Sequence, residues 1–123
     1  ESIEGGFSMA RPPITSHVLD TSLGRPAQGV VITLFVLSGS EWSVLGKATT
    51  NSDGRAPELL PVDYKLQQGV YKCTFDTGAY FQASGQKGFY PEVPVIFEIA
   101  ATTEHYHIPL LLSPYGYSTY RGS

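Results

Sequence analysis

The longest run of apolar and β-branched residues in this chain is Val30–Leu37, and Ser38-Gly39-Ser40 closes it. The other apolar runs are short and are closed in the same way, by Asp20–Pro26, by Asn51–Arg55 and by Ser113-Pro114. Runs of that length between turn clusters suit strands. None can cross a bilayer as a helix, which takes about 20 apolar residues. The feature therefore points to many short strands joined by tight turns.

Strands are expected at Thr15–Leu19, Val30–Leu37, Trp42–Ala48, Gly69–Phe75, Val93–Ala100, His105–Leu112 and Tyr117–Arg121. Val30–Leu37 is apolar on both parities and reads as buried on both faces. Val93, Val95, Phe97 and Ile99 share one parity, and Pro91 and Pro94 place that strand at an edge or a bulge. Asp76–Gly85 is the one helix expected, about two turns long, with Asp76 or Thr77 capping its start and Gly85 its end. Asp53-Gly54 calls for a positive φ at a tight corner, which places Arg55 just after a bend. Seven or eight strands and one small helix in 123 residues predict an all-β, two-sheet antiparallel sandwich. Residues 1–13, polar and small with Pro12-Pro13 at their end, read as a flexible arm before a domain over residues 14–123.

Composition narrows the function classes. The net charge is −3, so no basic nucleic-acid footprint is expected, and there is no polybasic membrane patch. The N-terminal residues lack the pattern of a secretory signal, and the absence of Met at position 1 suits either a trimmed precursor or a remnant of an added segment. The single cysteine, Cys73, allows no intrachain disulfide and reads as a buried, inert thiol. Only 15% of residues are charged, against roughly 25% in typical domains, so the surface is short of charge.

The histidines carry the chemical signal. His105 and His107 stand at i and i+2, so both leave one face of a strand. Tyr106, Ile108, Leu110 and Leu112 take the other face and form its core side, so the histidines point away from that core into an interface or a cavity. Val18 faces inward likewise and leaves His17 on the outer side. His-x-His also suits metal ligation, and His17 as third ligand makes a zinc hydrolase arithmetically possible.

Three blocks bring a family into view: Ser16-His17-Val18-Leu19-Asp20-Thr21 with Gly24 and Pro26-Ala27; Asp53-Gly54-Arg55; and His105–Pro114 running on to Tyr117-Ser118-Thr119-Tyr120-Arg121-Gly122-Ser123. Together they resemble the transthyretin-related family, over nearly the whole chain from Pro13. The closing Tyr-Arg-Gly-Ser and the histidines and arginine resemble its enzyme branch, which hydrolyses 5-hydroxyisourate in urate degradation, rather than its hormone-carrier branch.

The resemblance implies a sandwich that assembles as a homotetramer, with active sites at the dimer–dimer interface along a central channel. It implies catalytic roles for His17, Arg55 and His107 and substrate binding by Tyr120 and Ser123, with no metal and no cofactor. His17 or His107 is then the general base, Arg55 the fixed cation, and His105 a supporting neighbour. The product expected is 2-oxo-4-hydroxy-4-carboxy-5-ureidoimidazoline, and the compartment cytoplasmic or peroxisomal. The competing reading is a carrier of a small hydrophobic ligand such as thyroid hormone. Tyr120 and Pro109, on channel-facing positions, argue against it by narrowing the bore.

Overall fold

The computed structural model describes residues 12–123, so the expected arm lies outside the described residues except for Pro12 and Pro13. These two are tied down: the Pro13 carbonyl accepts from the Tyr106 N–H at 2.8 Å. Eight strands and one helix follow. They are β1 (Ile14–Asp20), β2 (Arg25–Pro26), β3 (Val31–Ser38), β4 (Glu41–Thr49), β5 (Gly69–Phe75), α1 (Thr77–Ala83), β6 (Val93–Ile99), β7 (Tyr106–Ser113) and β8 (Gly116–Thr119). They form two four-stranded sheets, β2-β1-β7-β8 and β4-β3-β5-β6.

The two inner faces make the core. Ile14, Val18, Tyr106, Ile108, Leu110 and Leu112 come from the first sheet, and Ile32, Leu34, Tyr71, Cys73, Phe75, Val93 and Ile99 from the second. Phe81 of α1 is also buried in this core. Each fully buried large apolar side chain contributes about 1.5–3 kcal/mol. β6 is an edge strand, which is where Pro94, lacking an N–H, is tolerated. The α1 cap is Asp76, whose Oδ1 accepts from the Ala79 N–H at 3.2 Å, and Gly85 beyond the helix has φ +75°.

Three details differ from the sequence expectation. The sandwich is antiparallel except that β1 and β7 run parallel, with Thr15 opposite His107 and His17 opposite Pro109. β3 is buried on one face only: Ile32 and Leu34 are enclosed while Val31, Thr33 and Phe35 are half-buried. Its outer face is screened by side chains instead of a further layer, with the Lys72 ammonium over the rings of Phe35 and Trp42 at 4.9 and 4.4 Å. The last strand ends at Thr119 and not at Arg121, yet the chain returns to β7 at a bridge between His107 and Gly122. That bridge keeps the register of the β7–β8 ladder, in which Leu110 faces Thr119. The gap falls where Tyr120 would need a donor from Pro109, which has no N–H.

One buried carboxylate locks α1 onto the first sheet. Asp20 accepts from the Ser22 hydroxyl at 2.6 Å, from the N–H groups of Ser22 and Leu23, and from the Tyr80 hydroxyl at 2.6 Å. Burial alone would raise its pKa, but these donors together hold it below the ordinary 3.8. Burial, and then the bond to Asp20, push the Tyr80 hydroxyl up to about 12. Among the described residues no helix is long and apolar enough to cross a membrane.

Candidate active site

The outer face of the first sheet is built by strand alternation. Ile14, Ser16, Val18 and Asp20 of β1 turn inward, so Thr15, His17 and Leu19 turn out, all half-buried. Tyr106, Ile108, Leu110 and Leu112 of β7 do the same for His107 and Leu111. The parallel register sets Thr15 beside His107. Thr15 Oγ1 lies 2.7 Å from His107 Nδ1 and 3.0 Å from His105 Nε2. His105 Nδ1 donates to the Pro12 carbonyl at 2.7 Å. The two imidazoles lie nearly parallel, with centroids 6.3 Å apart.

Arg55 is delivered by the Asn51–Arg55 turn. Asn51 Oδ1 accepts from the N–H groups of Asp53 and Arg55, and Gly54 N–H donates to the Asn51 carbonyl at 2.9 Å. Gly54 takes φ +75°, the left-handed conformation that the Asp-Gly pair called for. It also sits hard against β1: a Cβ there would fall onto the Val18 carbonyl oxygen and come within 3.2 Å of His17 Cδ2. The Val18 N–H donates to the Gly54 carbonyl at 2.8 Å, and a bridge pairs His17 with Arg55. The turn is thus stitched to β1 beside His17.

The C-terminal segment forms the third wall. Thr119 Oγ1 donates to the Pro109 carbonyl at 2.7 Å, and Gly122 N–H donates to the His107 carbonyl at 2.9 Å. Arg121 turns away: it pairs with Glu104 at 2.8 Å and lies over the Tyr106 ring at 4.5 Å. Its guanidinium therefore braces the end of β7.

These walls line an open cavity of about 440 Å³, large enough for a small-molecule ligand. Arg55, His107, Tyr120 and Ser123 line it together with Thr15 and His105. His17 is not among its lining residues; it lies two residues along β1 from Thr15, against Gly54. The structure thus brings four of the five expected site residues into one cavity and leaves the fifth beside it. No aspartate or glutamate side chain is among the described residues that line the cavity, and Ser123, the last residue, lines it together with Arg55. An imidazole and a guanidinium around one cavity can move a proton and stabilise an oxyanion.

Thr15 carries no titratable group and so gives no chemical signal in the sequence, yet it shares a parity with His17 and faces the same side. His105 is tied into the wall by two bonds, one to Thr15 and one to the Pro12 carbonyl. Cys73 is fully buried, and burial pushes its thiol up to about 12, as befits an inert core residue. Among the described residues no three His, Cys, Asp or Glu side chains gather as a metal-binding group.

A model of the HIUase/transthyretin family matches residues 14–122. The 5-hydroxyisourate hydrolase of Mus musculus is 48% identical over 113 residues, covering 90% of this chain and 95% of that one. The solved 5-hydroxyisourate hydrolase of Klebsiella pneumoniae is 35% identical, with a TM-score of 0.77 over 89% of this chain and 98% of that one. Sea bream transthyretin, solved in complex with thyroxine, superposes with a TM-score of 0.85 at 28% identity, over 90% of this chain and 95% of that one.

Proposed function

The chain belongs to the HIUase/transthyretin family, and from that premise we propose that it is a hydrolase that opens the six-membered ring of 5-hydroxyisourate in urate degradation. Backbone likeness does not favour the hydrolase branch, because sea bream transthyretin superposes with the higher TM-score, 0.85 against 0.77 for the Klebsiella hydrolase. Sequence identity favours the hydrolases: within the superpositions it is 35% to the Klebsiella hydrolase against 28% to sea bream transthyretin, and the mouse hydrolase is 48% identical. The observation that carries the reading is the cavity itself, where His107 and Arg55 stand with Tyr120 and Ser123.

The reaction adds one water across a cyclic C–N bond. A histidine, His107 or His17, takes a proton from water as its oxygen bonds to the ring carbonyl carbon. The guanidinium of Arg55 stabilises the oxyanion of the tetrahedral intermediate. The C–N bond then breaks, the nitrogen takes a proton, and the ring-opened acid 2-oxo-4-hydroxy-4-carboxy-5-ureidoimidazoline leaves. Such a general base contributes typically about 10²–10⁴-fold. Tyr120 and Ser123 shape the wall against which the planar substrate lies.

A homotetramer, with its sites where dimers meet, is part of the same proposal. Three features support it: the low charge content, the half-buried outer face of the first sheet, and the exposure of Tyr120 and Ile96. A second subunit across that face would bring His17 to a closed site. A cytoplasmic or peroxisomal location fits a reduced, buried Cys73 and a substrate made by urate oxidation.

The test is a spectroscopic assay with 5-hydroxyisourate generated in situ from urate. Wild-type protein should accelerate its decay, and His17→Ala, Arg55→Ala and His107→Ala should each lower turnover by orders of magnitude while the oligomer persists on size exclusion. Near-normal turnover in one variant removes that residue from the mechanism. Tight thyroid-hormone binding without hydrolysis would reverse the reading in favour of the carrier.

A further inference from the structure

Resting on the hydrolase reading above, we propose that Thr15 and His105 are positioning residues that hold His107 in its Nδ1–H tautomer, making Nε2 the atom that accepts the water proton. Three bonds in line carry the argument: Pro12 carbonyl to His105 Nδ1 at 2.7 Å, His105 Nε2 to Thr15 Oγ1 at 3.0 Å, and Thr15 Oγ1 to His107 Nδ1 at 2.7 Å. A carbonyl oxygen only accepts, so His105 Nδ1 carries the proton of the first bond. A neutral imidazole has one N–H, so His105 Nε2 accepts, and the hydroxyl of Thr15 donates to it. That uses the one proton of the hydroxyl. His107 Nδ1 must therefore donate to Thr15 Oγ1, and the lone pair of a neutral His107 is left on Nε2. The opposite direction along the line requires a second proton on His105.

The arrangement suits a base in a further way. When Nε2 takes a proton from water, His107 becomes an imidazolium whose Nδ1–H still donates to Thr15 Oγ1. No bond in the line has to break or turn, so the step carries no reorganisation in the wall. Threonine serves better than serine here, because β-branching restricts χ1 and fixes where the hydroxyl stands. No comparable line of bonds reaches His17 among the described residues, which is why the assignment falls on His107.

The experiment uses the full chain, labelled with 15N. Two-bond proton–nitrogen correlation spectra at about pH 8, above the ordinary histidine range, report which ring nitrogen of each histidine is protonated. His17→Gln, His105→Gln and His107→Gln assign the signals. Wild-type His107 should show Nδ1–H. Thr15→Val should move His107 toward Nε2–H and lower kcat about tenfold or more, with KM within about twofold. Thr15→Ser should restore the tautomer and most of the lost kcat. His105→Leu, which takes away the acceptor for the Thr15 proton, should loosen the tautomer in the same direction and stands in if Thr15→Val fails to fold.

A wild-type His107 protonated on Nε2, or variants that move neither tautomer nor kcat, would overturn the proposal. The spectra need no substrate. Wild-type protein that shows the Nδ1–H tautomer but does not hydrolyse 5-hydroxyisourate would defeat the hydrolase reading alone. Active protein with the other tautomer would defeat this assignment alone.

Discussion

Replacing Gly122 by alanine should remove most of the turnover and leave the fold in place. A Cβ at Gly122 would stand 2.6 Å from His107 Cδ2, 3.2 Å from His107 Cγ and 3.1 Å from Pro109 Cγ. Ordinary contact begins at 3.4 Å, so the nearest pair must separate by about 0.8 Å. Gly122 is not at a positive φ, so the backbone accepts alanine and the whole effect is steric.

Two relaxations are open. The imidazole can shift by most of an ångström, or the C-terminal segment can lift and lose the Gly122 N–H bond to the His107 carbonyl, 2.9 Å long. The first misplaces a reacting group, and about 1 Å of misplacement can cost about 100-fold. The second removes one cavity wall at a cost in stability of about 1 kcal/mol, or a Tm fall of about 4–8 °C. Initial rates on 5-hydroxyisourate, thermal melts and size exclusion read the outcome. We expect kcat/KM down about 100-fold with Tm inside that window. Activity within twofold of wild type would show that the packing of Gly122 on His107 does not position the imidazole for the reaction.

Gly54→Ala should act the other way, on stability first. Its positive φ costs about 1–2 kcal/mol, and the clash of the new Cβ with the Val18 carbonyl raises the loss to about 2–4 kcal/mol in urea unfolding. Tyr80→Phe removes a 2.6 Å bond to a buried carboxylate and should destabilise by about 1.5–3 kcal/mol at neutral pH. Because the Asp20 pKa is lowered in the folded state, its stabilisation is complete above about pH 4 and is lost as pH falls below that; Tyr80→Phe should therefore flatten the Tm curve on the acid side. Exhaustive chelation should leave turnover unchanged, since no three metal-ligating side chains gather among the described residues, and a loss restored by zinc would contradict this.

Much of the site was legible because strand parity is a strict rule. Apolar Tyr106, Ile108, Leu110 and Leu112 left His107 only one side to face, and Val18 did the same for His17. The Asp-Gly pair announced the left-handed corner that carries Arg55, and Gly54 occupies it. What parity could not supply is which strands lie side by side. The β1–β7 pairing joins segments about 90 residues apart in parallel, and no local signal distinguishes that from an antiparallel neighbour. Thr15 therefore had no visible reason to matter, and His105 no partner. The end of β8 escaped for a local reason: Pro109 breaks the ladder from the opposite strand, where the β8 sequence carries no trace of it.

That parallel register is also what couples the chemistry to the core. The same pairing that buries Ile14 opposite Tyr106 and Val18 opposite Leu110 puts Thr15 opposite His107. A slip of β1 by one residue would turn Ile14 and Val18 out to solvent. At about 1.5–3 kcal/mol each, the two together forfeit about 3–6 kcal/mol, a large part of the roughly 5–15 kcal/mol that holds a domain folded. It would also strip Ser16 of its 2.8 Å bond to the Ile108 carbonyl and pull Asp20 from its four donors. Slips are thus excluded by apolar burial and buried polar bonds that take no part in catalysis. The hydroxyl that faces His107 is held there by the side chains before and after it, which point the other way.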